Sequence, residues 1–175
     1  MANSVENFAA KTSAKAAGLR ARARGLTGVF NLLAQQHKEA AQLLKRTKQA
    51  TDPEQRREHW LAVRRELICH ERAELITVYP VFQANEQLNA AGIERAHAED
   101  AEKLEAAISR VDTAGFETSR WPDLLEDLIQ LVERHAEQEE NDFFPRAQEA
   151  IGKDAAAALE GPFQAAREQC LSPLG

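Results

Sequence analysis

The sequence predicts an all-α protein, and three observations support that fold class. Alanine, leucine, glutamate, glutamine and arginine, which favour helices, are abundant. Runs typical of β-strands are scarce, and aromatic residues make up only 6% of the 175 residues. Four long segments place apolar residues at alternating steps of three and four, which is the spacing of one face of a bundle helix.

The composition also limits the class of protein. A chain of this length predicts one domain with its own core. The net charge of −6 argues against a general nucleic-acid or membrane-surface binder, and there is no long apolar run or signal-peptide segment. The two cysteines, Cys69 and Cys170, form no disulfide framework, so we expect Cys69 to be a buried thiol. These features favour a cytoplasmic protein without nucleic-acid or membrane partners.

The first two helices are predicted from capping residues and from apolar stripes, which are rows of apolar residues along one face of a helix. Before them, the basic and alanine-rich residues 1–25 are expected to form an extension on the outside of the domain. The first helix should run from about Leu26 to Gln49, and His37 lies in its apolar stripe. Asp52 and Pro53 predict the start of the second helix. The stripe of that helix contains Trp60, Val63, Leu67, His70, Glu74, Thr77 and Val81.

The third and fourth helices carry histidines in the same way. A break over 89–92 should precede the third helix, whose stripe includes His97. A loop over 112–118 leads to the fourth helix, which should start near Ser119 and whose stripe includes His135 and Glu139. The bundle then covers 26–151, and residues 152–175 form a short helix that packs on it without a chemical role.

Counting residues from the connecting loops places the four histidines at one level of the bundle. Antiparallel neighbours bring together residues that are equally far from their shared loop. Glu74 and Glu139 each lie one turn beyond a histidine, so two carboxylates join the four imidazoles in an apolar interior. Burying carboxylates costs several kcal/mol each unless they are paired or bind a metal. A metal site is the main interpretation, and a hydrogen-bonded network of His and Glu is the alternative.

The donor types favour iron, manganese or zinc over calcium or magnesium. Carboxylates on opposite helices are suitably placed to bridge two metals and to leave positions open for a small ligand. The isolated His59 lies too far along its helix to join this site. Asp100 or Glu94 is a candidate to orient the imidazole of His97.

These residues carry a resemblance to a known family. His37, the runs His70-Glu71-Arg72-Ala73-Glu74 and His135-Ala136-Glu137-Gln138-Glu139, and His97 resemble the hemerythrin-like HHE cation-binding family. Tyr79-Pro80 and Phe144-Pro145 are similar to pairs that follow its motifs. The resemblance implies an up-down antiparallel four-helix bundle with a non-haem di-iron centre and a bridging oxo or hydroxo group. Glu74 and Glu139 would bridge the irons, and the four histidines would be terminal ligands.

The chain departs from oxygen-carrying hemerythrins in two ways. Their fifth histidine is absent, because the positions four residues from His97 are Ile93 and Ala101. Where the carriers have an aspartate, this chain has Glu140. Glu71 could replace the missing donor, since the His-Glu-x-x-Glu form resembles iron-sensing members. The predicted metal ligands are therefore His37, His70, Glu71, Glu74, His97, His135 and Glu139.

Three functions are compatible with this pattern. The first is binding of dioxygen or a related small ligand for storage, delivery or sensing. The second is a di-iron enzyme acting on peroxide, nitric oxide or ferrous iron, in which Tyr79 could act as a redox-active phenol, although a tyrosine on the bundle surface is the simpler interpretation. The third is an iron- or redox-responsive regulator whose folding depends on the metal.

Overall fold

The computed structural model describes residues 25–172, and it is helical without strands over that range. The all-α prediction is therefore confirmed. Of the extension predicted over 1–25, all but Gly25 lies outside the described residues. In chain order the helices are α1 (Gly28–Gln49), α2 (Pro53–Thr77), α3 (Tyr79–Ala84), α4 (Glu86–Ala90), α5 (Ile93–Thr113), α6 (Trp121–Gln138), α7 (Phe144–Ile151), α8 (Lys153–Ala158) and α9 (Glu160–Leu171). None of them has the length and apolar character needed to cross a membrane.

The predicted helix starts have clear local causes. The side chain of Asp52 accepts a hydrogen bond from the backbone N–H of Gln55 at 3.0 Å, which caps α2, and Pro53 fills its first position. Gly92 adopts a left-handed conformation, with φ of 70°, immediately before α5 begins. The break expected over 89–92 is therefore present.

The second helix is shorter than the stripe predicted. It ends at Thr77, and Val81 lies instead in the separate helix α3. Pro80 has no N–H to continue the α-helical hydrogen bonds, and the regular helix is interrupted at Val78. Because of this break, Tyr79 becomes the first residue of a new helix and its ring is buried.

The fourth predicted helix is interrupted by a π-helical turn. α6 ends at Gln138, the π-helical turn covers Glu139–Phe143, and α7 follows directly. One π-turn inserts an extra residue into a helix and rotates the side chains that follow it. The turn begins at Glu139, which is one of the predicted ligands.

Two apolar clusters lie on either side of the histidines. The first contains Leu33 and the rings of Phe30, Phe82, Phe144 and Phe163. The second contains Leu44, Trp60, Val63, Trp121 and Leu128. On α1, His37 lies between Leu33 of the first cluster and Leu44 of the second. The polar residues thus form a layer between two apolar regions, and the long helices pack in the sequence α2 against α1, α1 against α6, and α6 against α5.

The C-terminal helices are joined to the bundle more firmly than expected. α9 packs along α2, and a disulfide links Cys69 of α2 to Cys170 of α9. The expectation that Cys69 is a free buried thiol was therefore wrong, because folding brings together two cysteines that are 101 residues apart. α8 also lies close to the start of α1, because a Cβ atom at Gly28 would be only 2.3 Å from the backbone of Ala156. A larger residue at position 28 would therefore clash with α8.

Candidate metal centre

The four predicted histidines come together in the polar layer. The ring centroids of His37 and His70 are 5.0 Å apart, and those of His97 and His135 are 5.2 Å apart. The rings of His37 and His135 are separated by 6.3 Å, which connects the two pairs. One histidine comes from each of the four long helices, as the loop-distance argument predicted. His59 is exposed elsewhere on α2 and takes no part.

Glu139 lies between the two pairs of histidines. Its Oε2 is 3.1 Å from Nε2 of His37 and 3.4 Å from Nε2 of His135. Its Oε1 is 3.5 Å from Nε2 of His97. The side chain is fully buried, and this carboxylate contacts three imidazoles.

The donor atoms form two groups that share Glu74. In one group, Glu71, Glu74, His97 and His135 each offer a donor atom, and these atoms lie within 4.8 Å of one another. In the other group, His37, His70 and Glu74 do the same. Two adjacent cation positions with a shared carboxylate are thus geometrically possible. Glu71, the residue suggested as a replacement donor, lies 3.2 Å from Nε2 of His97 and 3.8 Å from Nε2 of His135.

The unpaired polar atoms of the layer fit a bound cation. Buried donors and acceptors nearly always have hydrogen-bond partners. Within residues 25–172, however, no hydrogen bond satisfies the following buried atoms: Nε2 of His37, His70, His97 and His135, Oε1 of Glu71, both carboxylate oxygens of Glu74, and Oε2 of Glu139. All seven predicted ligands contribute at least one such atom. Imidazole nitrogens and carboxylate oxygens are the donors that transition metals such as iron, manganese and zinc prefer.

Two of the histidines are oriented by neighbours that the sequence did not single out. Nδ1 of His70 donates to Oε1 of Gln36 at 2.9 Å, so its Nε2 faces the layer. Nδ1 of His37 lies 3.2 Å from Oε1 of Glu140, the residue next to Glu139 in the π-helical turn. Hydrogen bonds of this kind fix the ring orientation of metal-binding histidines. A glutamine directly before His37 carried no recognisable signal, since it lies outside the stripe.

The predicted partner of His97 was wrong. Glu94 accepts a hydrogen bond from Gln83, and Asp100 pairs with Lys103 on the surface. Among the described residues, Nδ1 of His97 has no hydrogen-bond partner. The ring is held instead by stacking on Tyr79, with centroids 3.5 Å apart.

Tyr79 belongs to the site rather than to the surface. Its hydroxyl donates to Oε1 of Glu139 at 2.7 Å, and its side chain is 2% exposed. The expectation of a surface tyrosine failed because it assumed that α2 continues past Thr77. The adjacent Pro80 was the available signal, since proline breaks a helix and redirects the residue before it.

The charges of the layer are strongly coupled. Burial lowers the pKa of His37, but the carboxylates of Glu139 and Glu140 beside its ring outweigh that effect and raise the pKa to about 9. Burial raises the pKa of Glu71 to about 8 and that of Glu74 well above its ordinary range, and the Glu139 charge adds to both. Burial alone would raise the pKa of Glu139, yet the imidazoles of His135 and His37 hold it below its ordinary value.

The remaining shifts have the same origin. Burial lowers the pKa of His97 to about 4 and that of His70 well below its ordinary value. Burial and the nearby Glu139 raise the pKa of the Tyr79 phenol. The pKa values of His37, Glu71 and Glu74 are thus raised, whereas a bound cation would favour the deprotonated form of each of these groups.

The C-terminal helix also touches the layer, although no chemistry was expected of it. The ring of Phe163 in α9 lies edge-on to His70, with centroids 6.0 Å apart. Arg167 of α9 pairs with Glu66 of α2, one turn before His70. The alanine-rich composition of this segment concealed both contacts.

Comparison with known proteins gives one finding. No curated protein and no solved structure matches the chain. The model of the hemerythrin HHE cation-binding domain matches residues 28–147, which is more than half of the chain and includes all seven predicted ligands. The chain therefore belongs to the hemerythrin HHE cation-binding family.

Proposed function

We propose that this chain holds two iron ions in the polar layer and binds dioxygen or a related small ligand there for storage or sensing. The observation that carries the proposal is the pair of donor groups that share Glu74. His37 and His70 would hold one ion, and His97, His135 and Glu71 the other. Glu74 and Glu139 would bridge them, since Glu139 contacts histidines of both groups.

The surroundings of the layer suit this role. A bound pair of iron ions supplies one-electron redox chemistry toward dioxygen. The chain's own contribution is to hold the donors in place between the two apolar clusters. Tyr79 keeps a proton within reach of Glu139, because its hydroxyl donates to Oε1. Gln36 and Glu140 fix the rings of His70 and His37.

The first test is the metal content per chain, followed by visible spectra before and after anaerobic reduction and re-exposure to air. The proposal expects two irons per chain and an absorption band that disappears on deoxygenation and returns in air. Two irons that oxidise irreversibly would contradict reversible binding. A purified protein without bound metal that also takes up none on addition of ferrous iron would favour the hydrogen-bonded network.

A second candidate is a di-iron enzyme acting on peroxide, nitric oxide or ferrous iron. The buried Tyr79 favours it, since a phenol that contacts a bridging carboxylate can donate an electron and a proton. In this case Tyr79→Phe should slow peroxide consumption by the iron-loaded protein at least tenfold while two irons stay bound. Equal rates in the variant and the parent protein would remove the specific support for this candidate.

The helix directions and the compartment are proposals as well. We infer that α1, α2, α5 and α6 run alternately up and down, because this order places His37, His70, His97 and His135 at one level. The sequence predicts the cytoplasm, but a disulfide such as Cys69–Cys170 is uncommon in that reducing compartment. Alkylation of free thiols in intact cells tests whether the two cysteines are reduced, as the cytoplasm would favour, or linked. A protein with the disulfide takes up no label.

A further inference from the structure

A cavity of about 610 Å³ adjoins the proposed iron site. Its two walls come from α2 and α5, and residues of α1 and α6 complete it. His37, His70, Glu71 and His135 are among the residues that line it, so the cavity reaches the donor atoms of both groups. The exposed Leu75 and Ser109 also line it, which places its opening between α2 and α5.

The cavity is much larger than a diatomic ligand requires. A group the size of water takes a volume of about 30 Å³. Dioxygen is of similar size, so the cavity offers roughly twenty times that space. Cavities of about 300–1,000 Å³ are typical of sites for organic molecules. A protein that binds only dioxygen has no need for an open chamber of this size beside its metal site.

The middle of the cavity is apolar. Its side chains there are contributed by all four long helices: Leu43, Leu67, Ile68, Leu104, Ile108 and Val132. Most of the ionic groups in the lining are either paired or exposed. Arg64 donates to Asp112 at 2.7 Å across the two walls, and Arg167 pairs with Glu66. This lining favours a ligand with an uncharged apolar body.

One small residue lines the cavity close to a predicted ligand along the chain. Ala101 lies one turn after His97 on α5 and lines the cavity. Ala101 and Ile93 are the two positions four residues from His97, where the fifth histidine of oxygen-carrying hemerythrins is absent. The methyl group of Ala101 takes up less of the cavity than a larger side chain would, and Glu71 and His135 line the same cavity.

We propose that this cavity binds an uncharged apolar organic molecule of about ten non-hydrogen atoms, with one end at the donor groups. The inference rests on the proposed function where it assigns that end to the iron site. Binding in the cavity itself requires no metal. The physiological ligand of the site would then be organic, bound beside dioxygen or in its place.

Straight-chain alcohols from butanol to octanol are suitable probes, and calorimetry on the metal-free full chain measures their binding. Each methylene that enters the cavity should increase the affinity about fourfold. Ala101→Phe should weaken octanol binding at least tenfold. Ala106→Phe is the matched control, because Ala106 is exposed on the same helix and does not line the cavity.

Several outcomes would overturn this inference. They are the absence of octanol binding, an affinity independent of chain length, and equal affinities for the Ala101→Phe and Ala106→Phe proteins. If Ala101→Phe does not fold, as judged by circular dichroism, Ser109→Phe replaces it. Ser109 is exposed at the opening of the cavity, so the larger ring obstructs entry without disturbing the core.

The iron-loaded protein tests the connection to the metal site. Azide is a small anion that binds open positions of iron, and octanol in the cavity should reduce its apparent affinity at least fivefold in the parent protein. Independent binding of the two probes would overturn the placement of one end at the donor groups. Octanol binding by a protein that takes up no iron would refute the proposed function and support the cavity alone.

Discussion

Single residues of the polar layer differ in what they contribute. Glu139 is the central residue, since it contacts three imidazoles and the Tyr79 hydroxyl. His70 takes part in only one of the two donor groups, and it is held by Gln36. Loss of Glu139 should therefore affect both cations, because it contacts histidines of both donor groups, whereas loss of His70 should affect one.

Substitution of these residues tests the ligand assignment. His70→Ala should lower the iron content from about two per chain to about one, and Glu139→Ala should lower it to well below one. Iron and protein are measured on the same gel-filtered sample. His59→Ala is the control, because His59 is exposed on the same helix as His70. Two irons in either site variant would refute the assignment.

Two helical elements depart from regular geometry at the site. The break between α2 and α3 brings Tyr79 into the layer, and the π-helical turn presents Glu139 and Glu140 to His37. The C-terminal helix α9 adds Phe163 against His70 and the disulfide to Cys69. The segment over 152–175, which was expected only to pack on the bundle, thus borders the proposed metal site.

The disulfide should stabilise the docking of α9. It links two residues that are 101 positions apart, and disulfides typically contribute about 2–4 kcal/mol by restricting the unfolded chain. Cys170→Ser should lower the free energy of unfolding by that amount in urea titrations under oxidising conditions. Under reducing conditions the parent protein should approach the variant. Identical stability of the two proteins under oxidising conditions would show that the link does not form.

In the molecule as a whole, the polar layer opposes folding, whereas the two apolar clusters on either side of it favour folding. Each apolar cluster buries large rings, while the layer between them contains individual carboxylate and imidazole atoms that lack a hydrogen bond within residues 25–172. Unpaired polar groups in a core oppose folding. A bound cation removes that cost only in the folded state, so metal binding and folding should be coupled.

Thermal unfolding measures this coupling. At a hundredfold excess of free metal over its Kd, one site stabilises the folded state by about 2.7 kcal/mol. For a chain of this length that corresponds to an increase in Tm of about 5–10 °C per site. Glu139→Ala should show little of this increase on addition of ferrous iron, whereas His59→Ala should show all of it. An unchanged Tm in the parent protein would contradict coupled binding.

Much of the site could be predicted because local patterns carry it. His37, His70, His97 and His135 occupy stripe positions that are apolar in an ordinary bundle helix, and counting from the loops placed them at one level. The helix starts at Asp52 and after Gly92 followed from capping and backbone preferences. These features depend on neighbours within a few residues, so one sequence is sufficient to reveal them.

Other features depend on which helices meet in space. The Cys69–Cys170 link, Phe163 against His70 and the cavity between α2 and α5 join residues far apart along the chain. The roles of Tyr79 and Gln36 likewise depend on where a broken helix and a neighbouring helix direct their side chains. Periodicity predicts which face of a helix is buried, but only packing selects the partner that covers it. The predicted metal ligands could therefore be identified from the sequence. The contacts that support them, and the cavity that connects them to solvent, depend on how the helices pack in the tertiary structure.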